Sequence, residues 1–161
     1  MTAHSPLLLL ASNLPFTWPG RHFMRNTLEP ILRTNGFEVG VPGAPGGWGR
    51  AIPNRSAQPS SAAEAASQHL GESYVQLLDT CDAVLALLDG PEVEAGVAAS
   101  IGYAAHRVPV VGWRTDVRRS GEPISQLVNV VVEQLIRSSN GLLTRDLDEA
   151  LRFLRDQFDL S

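Results

Sequence analysis

The chain has 161 residues, 43% of them hydrophobic, with a formal net charge of −4; that length suits one domain burying about 70% of the surface its unfolded form exposes. The negative balance argues against the basic face that nucleic-acid binding requires. All 13 basic residues are arginine and Cys81 is the only cysteine, which excludes Schiff-base and P-loop lysine chemistry, an intramolecular disulfide and a cysteine metal cluster. The apolar tetrad Leu7 to Leu10 has no basic segment before it and is too short for a signal peptide or a membrane span. A cytoplasmic protein without a membrane partner is expected.

In chain order, Pro6 to Ser12 predicts a first strand, apolar throughout and therefore central. The loop from Asn13 to Gly20 follows, with Phe16 and Trp18 able either to stack on a planar ligand or to cover a sheet edge. Met24, Leu28, Ile31 and Leu32 stand at helical spacing within Arg21 to Asn35, where Pro30 should kink or split the helix. Gly36 ends it, and Phe37 to Val41 predicts a short second strand. Pro42 to Ser61 is rich in Pro, Gly, Ser and Asn and holds Trp48; a long irregular segment of this kind is usually functional or mobile. Ser61 with Glu64 forms a capping-box pattern for a helix running to about Asp79, its apolar side carried by Ala62, Ala65, Ala66, Leu70, Leu77 and Leu78.

The stretch that organises the chain comes next. Ala83 to Leu88 is an unbroken apolar run that predicts a strand buried on both faces, and Asp89-Gly90-Pro91 stops it with turn chemistry. Gly96, Ala98, Ala99, Ser100, Gly102 and Ala104 then suit a helix packed closely on a sheet. Glu92 and Glu94 stand at its positive end, where a helix dipole favours acids by roughly 0.3–1 kcal/mol each. Val108 to Trp113 predicts another strand, followed by a polar loop with Arg114 and Asp116 that either contacts a ligand or is merely solvated. Ile124, Leu127, Val128, Val131 and Leu135 fit a helix, although Val130-Val131-Val132 also reads as strand. Gly141 to Leu143 predicts a last strand, and Asp146 with Glu149 caps a final helix. Strands alternating with helices throughout imply an α/β fold, a single domain over residues 1–161 with a doubly wound parallel sheet of about five strands flanked by helices, flavodoxin- or Rossmann-like. Ligands sit beyond the carboxyl ends of such strands, which points to the loops 13–20, 42–60, 89–95 and 113–120. The four histidines are scattered without ligand spacing, and neither a metal nor a cofactor is expected.

Three spaced blocks resemble the nucleoside 2-deoxyribosyltransferase family. They are Asp82 to Pro91, then Glu94-x-Gly96-x-Ala98-x-Ser100-Ile101-Gly102-Tyr103-Ala104, then Arg107-x-Pro109-Val110-Val111-Gly112-x-x-Thr115-Asp116; the likeness extends to the Asn129-led segment. The family pattern at the second block is Asp-x-Gly-[Thr/Ser]-Ala-x-Glu-[Ile/Leu]-Gly-[Tyr/Phe]-Ala. The resemblance implies that the Glu of this pattern attacks the anomeric carbon and holds a covalent deoxyribosyl intermediate, as suits an oxocarbenium-like centre. This sequence has Ser100 there. It also implies a proton-handling Asp in the helix before the central strand, where Tyr74 stands, and a first-strand Tyr, which is missing from Leu9-Leu10-Ala11-Ser12-Asn13. Glu94 keeps an acid at the position whose Asp touches the sugar hydroxyl.

The scaffold therefore matches while the chemical centre does not, and the roles stay open. If the chain is a deoxyribosyltransferase or N-glycoside hydrolase, Glu94, Glu92, Asp89 or Glu72 has to supply the carboxylate, with Ser100 and Tyr74 at the family positions. If it is silent, the same pocket binds a nucleoside, nucleotide or nucleobase, or serves a structural or interaction role. Ser12, Asn13, Phe16, Trp48, Gly90, Gly96, Asp116 and Asn129 are the candidate substrate-binding residues. Asn129 either reaches a neighbouring subunit's pocket, as the resemblance implies, or caps a helix. A homo-oligomer, at least a dimer, is expected from the resemblance and from the valine-rich face of residues 127–135.

Overall fold

The computed structural model describes residues 5–40, 61–118 and 127–160, without the side chains of 61–63. Five strands, β1 (Leu7–Ala11), β2 (Glu38–Gly40), β3 (Ala83–Leu87), β4 (Val110–Trp113) and β5 (Leu142–Thr144), form one parallel sheet in the order β2-β1-β3-β4-β5. Central β3 is buried at all five positions, as the unbroken apolar run requires.

Alternate residues of each strand feed two separate cores. Leu8, Leu10, Leu85, Leu87 and Val111 face the helical stretch made of α1 (Trp18–Phe23), the π-turn Met24–Leu28 and α2 (Glu29–Thr34), together with α6 (Leu147–Gln157), through Met24, Leu28, Leu32, Leu151 and Leu154. Leu9, Val84, Ala86, Leu88 and Val110 face α3 (Ser61–Thr80), α4 (Ala95–Ala104) and α5 (Val130–Ser138) through Leu78, Val97, Ile101, Ala104, Val132 and Ile136. Cys81 is a buried free thiol within the second core, which is the packing role its isolation predicts.

The chain leaves β1 outward to β2, then returns across it to β3, so the winding reverses between β1 and β3. In a parallel sheet, this is where two successive crossovers lie on opposite faces and leave a crevice at the carboxyl edge.

Several local expectations shift. The first helix begins at Trp18, three residues earlier than the apolar spacing indicates, because the Thr17 hydroxyl caps it by accepting from the Gly20 amide at 3.1 Å. A Cβ on Gly20 would stand 2.3 Å from the Leu14 carbonyl oxygen, which reserves the position for glycine. Pro30 breaks the helix as expected, but the break lies ahead of it: Met24–Leu28 forms a π-turn in which the Glu29 amide reaches back to the Met24 carbonyl. The wide turn accommodates a ring that cannot donate and would crowd the preceding carbonyls. The valine run at 130–132 is helix, not strand, since Asn129 caps it by accepting from the Val131 amide at 2.9 Å. The loop of 42–60, with Trp48, the Ser61 cap and Ile124 lie outside the described residues.

Candidate functional site

A cavity of about 460 Å³ opens at the reversal point between β1 and β3. Its floor comes from the end of β1 and the turn after it, through Ser12 and Phe16. The Ser12 hydroxyl accepts from the Leu14 amide at 2.9 Å and so starts the tight turn Leu14–Phe16 that carries Phe16 over the opening. One wall is α3, whose residues Ser67, Leu70, Gly71, Tyr74, Val75 and Leu78 recur at helical spacing along one stripe. The other wall is the first two turns of α4, from Glu94 through Gly96, Val97, Ala99 and Ser100 to Tyr103. Small residues on this side leave the volume open, and the Tyr103 hydroxyl closes the far rim by donating to Asp79 at 2.6 Å.

The centre of the cavity is a chain of hydroxyls. Ser100 Oγ lies 2.6 Å from the Gly96 carbonyl, which can only accept, and 2.8 Å from Tyr74 Oη. The serine proton therefore goes to Gly96, and the tyrosine proton goes to Ser100. Ser100 is 1% exposed. Among the described residues its oxygen has no base within hydrogen-bond reach, and it has almost no surface on which to meet a substrate. Burial pushes the Tyr74 phenol above its ordinary value of 10, the Glu94 charge adds to that, and the bond to Ser100 opposes it. Tyr74 is thus a neutral phenol across the physiological range.

Among the described residues, Glu94 is the carboxylate that lines the cavity. It is also the N-cap of α4: Oε2 accepts from the Val97 amide at 3.1 Å. The same residue answers both readings left open by the sequence, holding a helix terminus while presenting a negative charge to the cavity.

The other candidates form a neighbouring cluster. The Asp89 carboxylate accepts from the amides of Thr115 at 2.6 Å and Asp116 at 2.7 Å, and from the Thr115 hydroxyl. Asp116 accepts from the Gly90 amide at 3.3 Å and pairs with Arg118 at 2.6 Å. The Arg118 side chain, with its backbone amide, holds the Asp116 carboxyl well below the usual carboxylate range. Gly90 has φ +125°, a conformation that favours glycine. Asn13 reaches the Asp89 carbonyl at 3.5 Å. Glu92 is exposed on the turn, Glu72 pairs with Gln68 on α3, and neither lines the cavity. Asn129 caps α5.

The structure thus brings Ser12, Phe16, Tyr74, Glu94, Gly96 and Ser100 to one cavity and ties Asn13, Asp89, Gly90 and Asp116 together beside it. Among the described residues, 113–118 of the loop after β4 do not line the cavity, whereas α3 supplies a whole wall. The stripe on α3 was visible as periodicity, but periodicity does not distinguish a face packed on a sheet from one facing a cavity. The solvated-loop alternative fails for Arg114, which is completely buried and donates to the carbonyls of Leu88, Gly90 and Arg118. Its place directly after a buried strand was the available signal. Among the described residues no group of three or more His, Cys, Asp or Glu side chains assembles a metal-ligand set, and no helix is long and apolar enough to cross a membrane.

Comparison with known proteins agrees with this architecture. No curated protein sequence matches the chain. A conserved protein from Enterococcus faecalis V583 is similar in structure, with a TM-score of 0.67 and 23% identity over 96% of this chain and 99% of that one. A 2-deoxyribosyltransferase from Leishmania mexicana aligns with a TM-score of 0.64 and 15% identity over 94% and 97% of the two chains. A CMP N-glycosidase from Clostridium botulinum aligns at 0.54 and 16% over 94% and 98%. These likenesses establish the fold. The family model described as nucleoside 2-deoxyribosyltransferase matches residues 8–142, most of the chain and all of the cavity described above, and this protein belongs to that family.

Proposed function

We propose that the cavity holds a nucleoside or nucleotide around its N-glycosidic bond, and that the chain binds this ligand without transferring the sugar through position 100. One observation carries the proposal: the hydroxyl at the family's nucleophile position is 1% exposed and passes its proton to the Gly96 carbonyl. A neutral oxygen held this way neither stabilises an oxocarbenium-like centre nor attacks it, both of which a carboxylate does. Tyr74, where the resemblance implies a proton-handling Asp, is a phenol with a raised pKa and does not replace that acid near neutral pH.

The test combines calorimetry with a base-exchange assay. Wild type mixed with each common deoxynucleoside should bind at least one of them, yet show no exchange with added free base by chromatography. Losing a nucleophile can cost on the order of a millionfold in turnover, so the difference is large. Ser100→Glu with Tyr74→Asp should exchange faster than either single variant. Robust wild-type exchange that requires Ser100 would overturn the proposal.

A second reading, turnover through a relocated carboxylate, is favoured by Glu94 lining the cavity. It requires wild-type activity that survives Ser100→Ala and collapses in Glu94→Gln. We also propose a homo-oligomer, motivated by Val130 and Val131, which are 43% and 60% exposed on α5.

A further inference from the structure

We propose that Arg114 is the positioning residue for Glu94: it clamps the turn after β3 against the turn after β4, and so sets where the cavity's carboxylate stands. The inference rests on the reading of the cavity as the ligand site, but the geometry of the clamp is independent of which ligand enters.

The sheet does not need this residue. The β3–β4 ladder runs to Leu87 opposite Trp113, and the Leu88 amide extends it by bonding to the Trp113 carbonyl at 2.9 Å. The Arg114 amide is taken by Thr144 at 2.9 Å. Beyond that last rung the Arg114 side chain turns inward, is 0% exposed, and has no carboxylate in salt-bridge range among the described residues. Burying a guanidinium without a counter-charge is costly unless its donors are used. Nε has no hydrogen-bond partner among the described residues, so the two terminal nitrogens carry the compensation. Here they straddle one residue. One terminal nitrogen donates to the Leu88 carbonyl and the other to the Gly90 carbonyl at 3.0 Å, while Asp89 between them sends its carboxylate the opposite way, to Thr115 and Asp116. The second nitrogen also holds the Arg118 carbonyl at 3.0 Å, which folds the far turn back on itself. Three consecutive residues, 88 to 90, are thus pinned through backbone and side chain alike.

From Gly90, four residues lead to Glu94, and Pro91 restricts the first of them. At the other end Glu94 is tied by its own cap to Val97. A loosened clamp therefore reaches Glu94 through a short turn, while the strands keep the backbone ladder that pairs them. Lysine cannot replace the fork, because one ammonium does not span carbonyls on both sides of Asp89.

The test is amide hydrogen exchange by NMR on the ligand-free full chain, with calorimetric titration of 2′-deoxyadenosine alongside. In Arg114→Met the amides of Gly90 and Val97, held by Asp116 and Glu94, should lose protection at least tenfold, while strand amides such as Leu85 and Val111 keep theirs. Arg114→Lys should recover only part of that protection. Any measurable 2′-deoxyadenosine affinity should fall with the Val97 protection across the series. If Arg114→Met does not fold, Asp89→Asn loosens the same turn from the other side and should expose the same two amides. Uniform loss of protection across the strands, or an unchanged Val97 amide, would overturn the positioning role. Failure of wild type to bind any nucleoside would count against the ligand reading instead, while the exchange pattern still decides the clamp.

Discussion

Ser100 and Tyr74, which stand where the resemblance implies two carboxylates, are compatible with each other. A serine beside a carbonyl four residues back on its helix satisfies itself, and the phenol then completes the chain of hydroxyls. Tyr74→Phe should cost about 1 kcal/mol, the net worth of one such bond, measured by urea unfolding at neutral pH. It should also change the alkaline behaviour. The folded phenol has its pKa raised above the ordinary value of 10, mainly by burial. Its contribution is therefore intact below pH 10 and is lost as pH rises from there through the folded pKa, because the unfolded chain gives up its proton first. Wild type should lose stability more steeply than Tyr74→Phe as pH rises above about 10. Cys81, also raised by burial, titrates in both proteins, and its charge is one of the influences that raise the Tyr74 phenol.

Helix α3 carries one wall of the cavity on an element whose sequence reads as ordinary amphipathic helix. Gly71 sits in the middle of its cavity-facing stripe, and a Cβ there would meet nothing within 4 Å. Gly71→Leu should therefore act in opposite directions on two measurements. Helix propensity favours leucine over glycine by roughly 0.8–1 kcal/mol, so the melting temperature should rise. The new side chain would project into the cavity, so nucleoside binding by calorimetry should be lost. At the start of α5, Asn129→Ala removes a side-chain cap and should destabilise by about 1 kcal/mol without weakening nucleoside affinity. A loss of affinity there would instead favour the reading in which Asn129 reaches a neighbouring subunit. Capping of α6 is legible in sequence but wired differently: Asp146 accepts from the amides of Asp148 and Glu149, while the Glu149 carboxylate takes the Thr144 hydroxyl rather than reaching back to the cap. Sequence spacing identifies the capping residues, whereas the strand end that arrives beside them decides the partner.

For the molecule as a whole, the strand order β2-β1-β3-β4-β5 puts the cavity where the winding reverses. Three helices, α3, α4 and α5, share one face, and the exposed valines of α5 continue it outward. Sedimentation at micromolar concentration should show a species at least twice the 17.4 kDa chain mass. Val131→Asp should shift it to the monomer, since a charge at the centre of an apolar contact is desolvated without a partner. A wild-type monomer at that concentration would remove the oligomer from the proposal.

The sequence by itself determined the five-strand α/β alternation, the family, and the departures at positions 74 and 100, because these depend on local hydrophobic period and on residue identity along one line of chain. It also located Glu94, since the acid stands at a fixed distance from the helix it begins. Tertiary structure alone decided which of the four carboxylates meets the cavity, that Asp89 is spent on the neighbouring turn, and that Arg114 lies inside the protein rather than in water. Those outcomes depend on which strand ends become neighbours. Two turns separated by some twenty-six residues in sequence come within hydrogen-bond distance only once β3 and β4 pair, and a guanidinium finds its carbonyls, or a carboxylate its amides, only after that pairing exists.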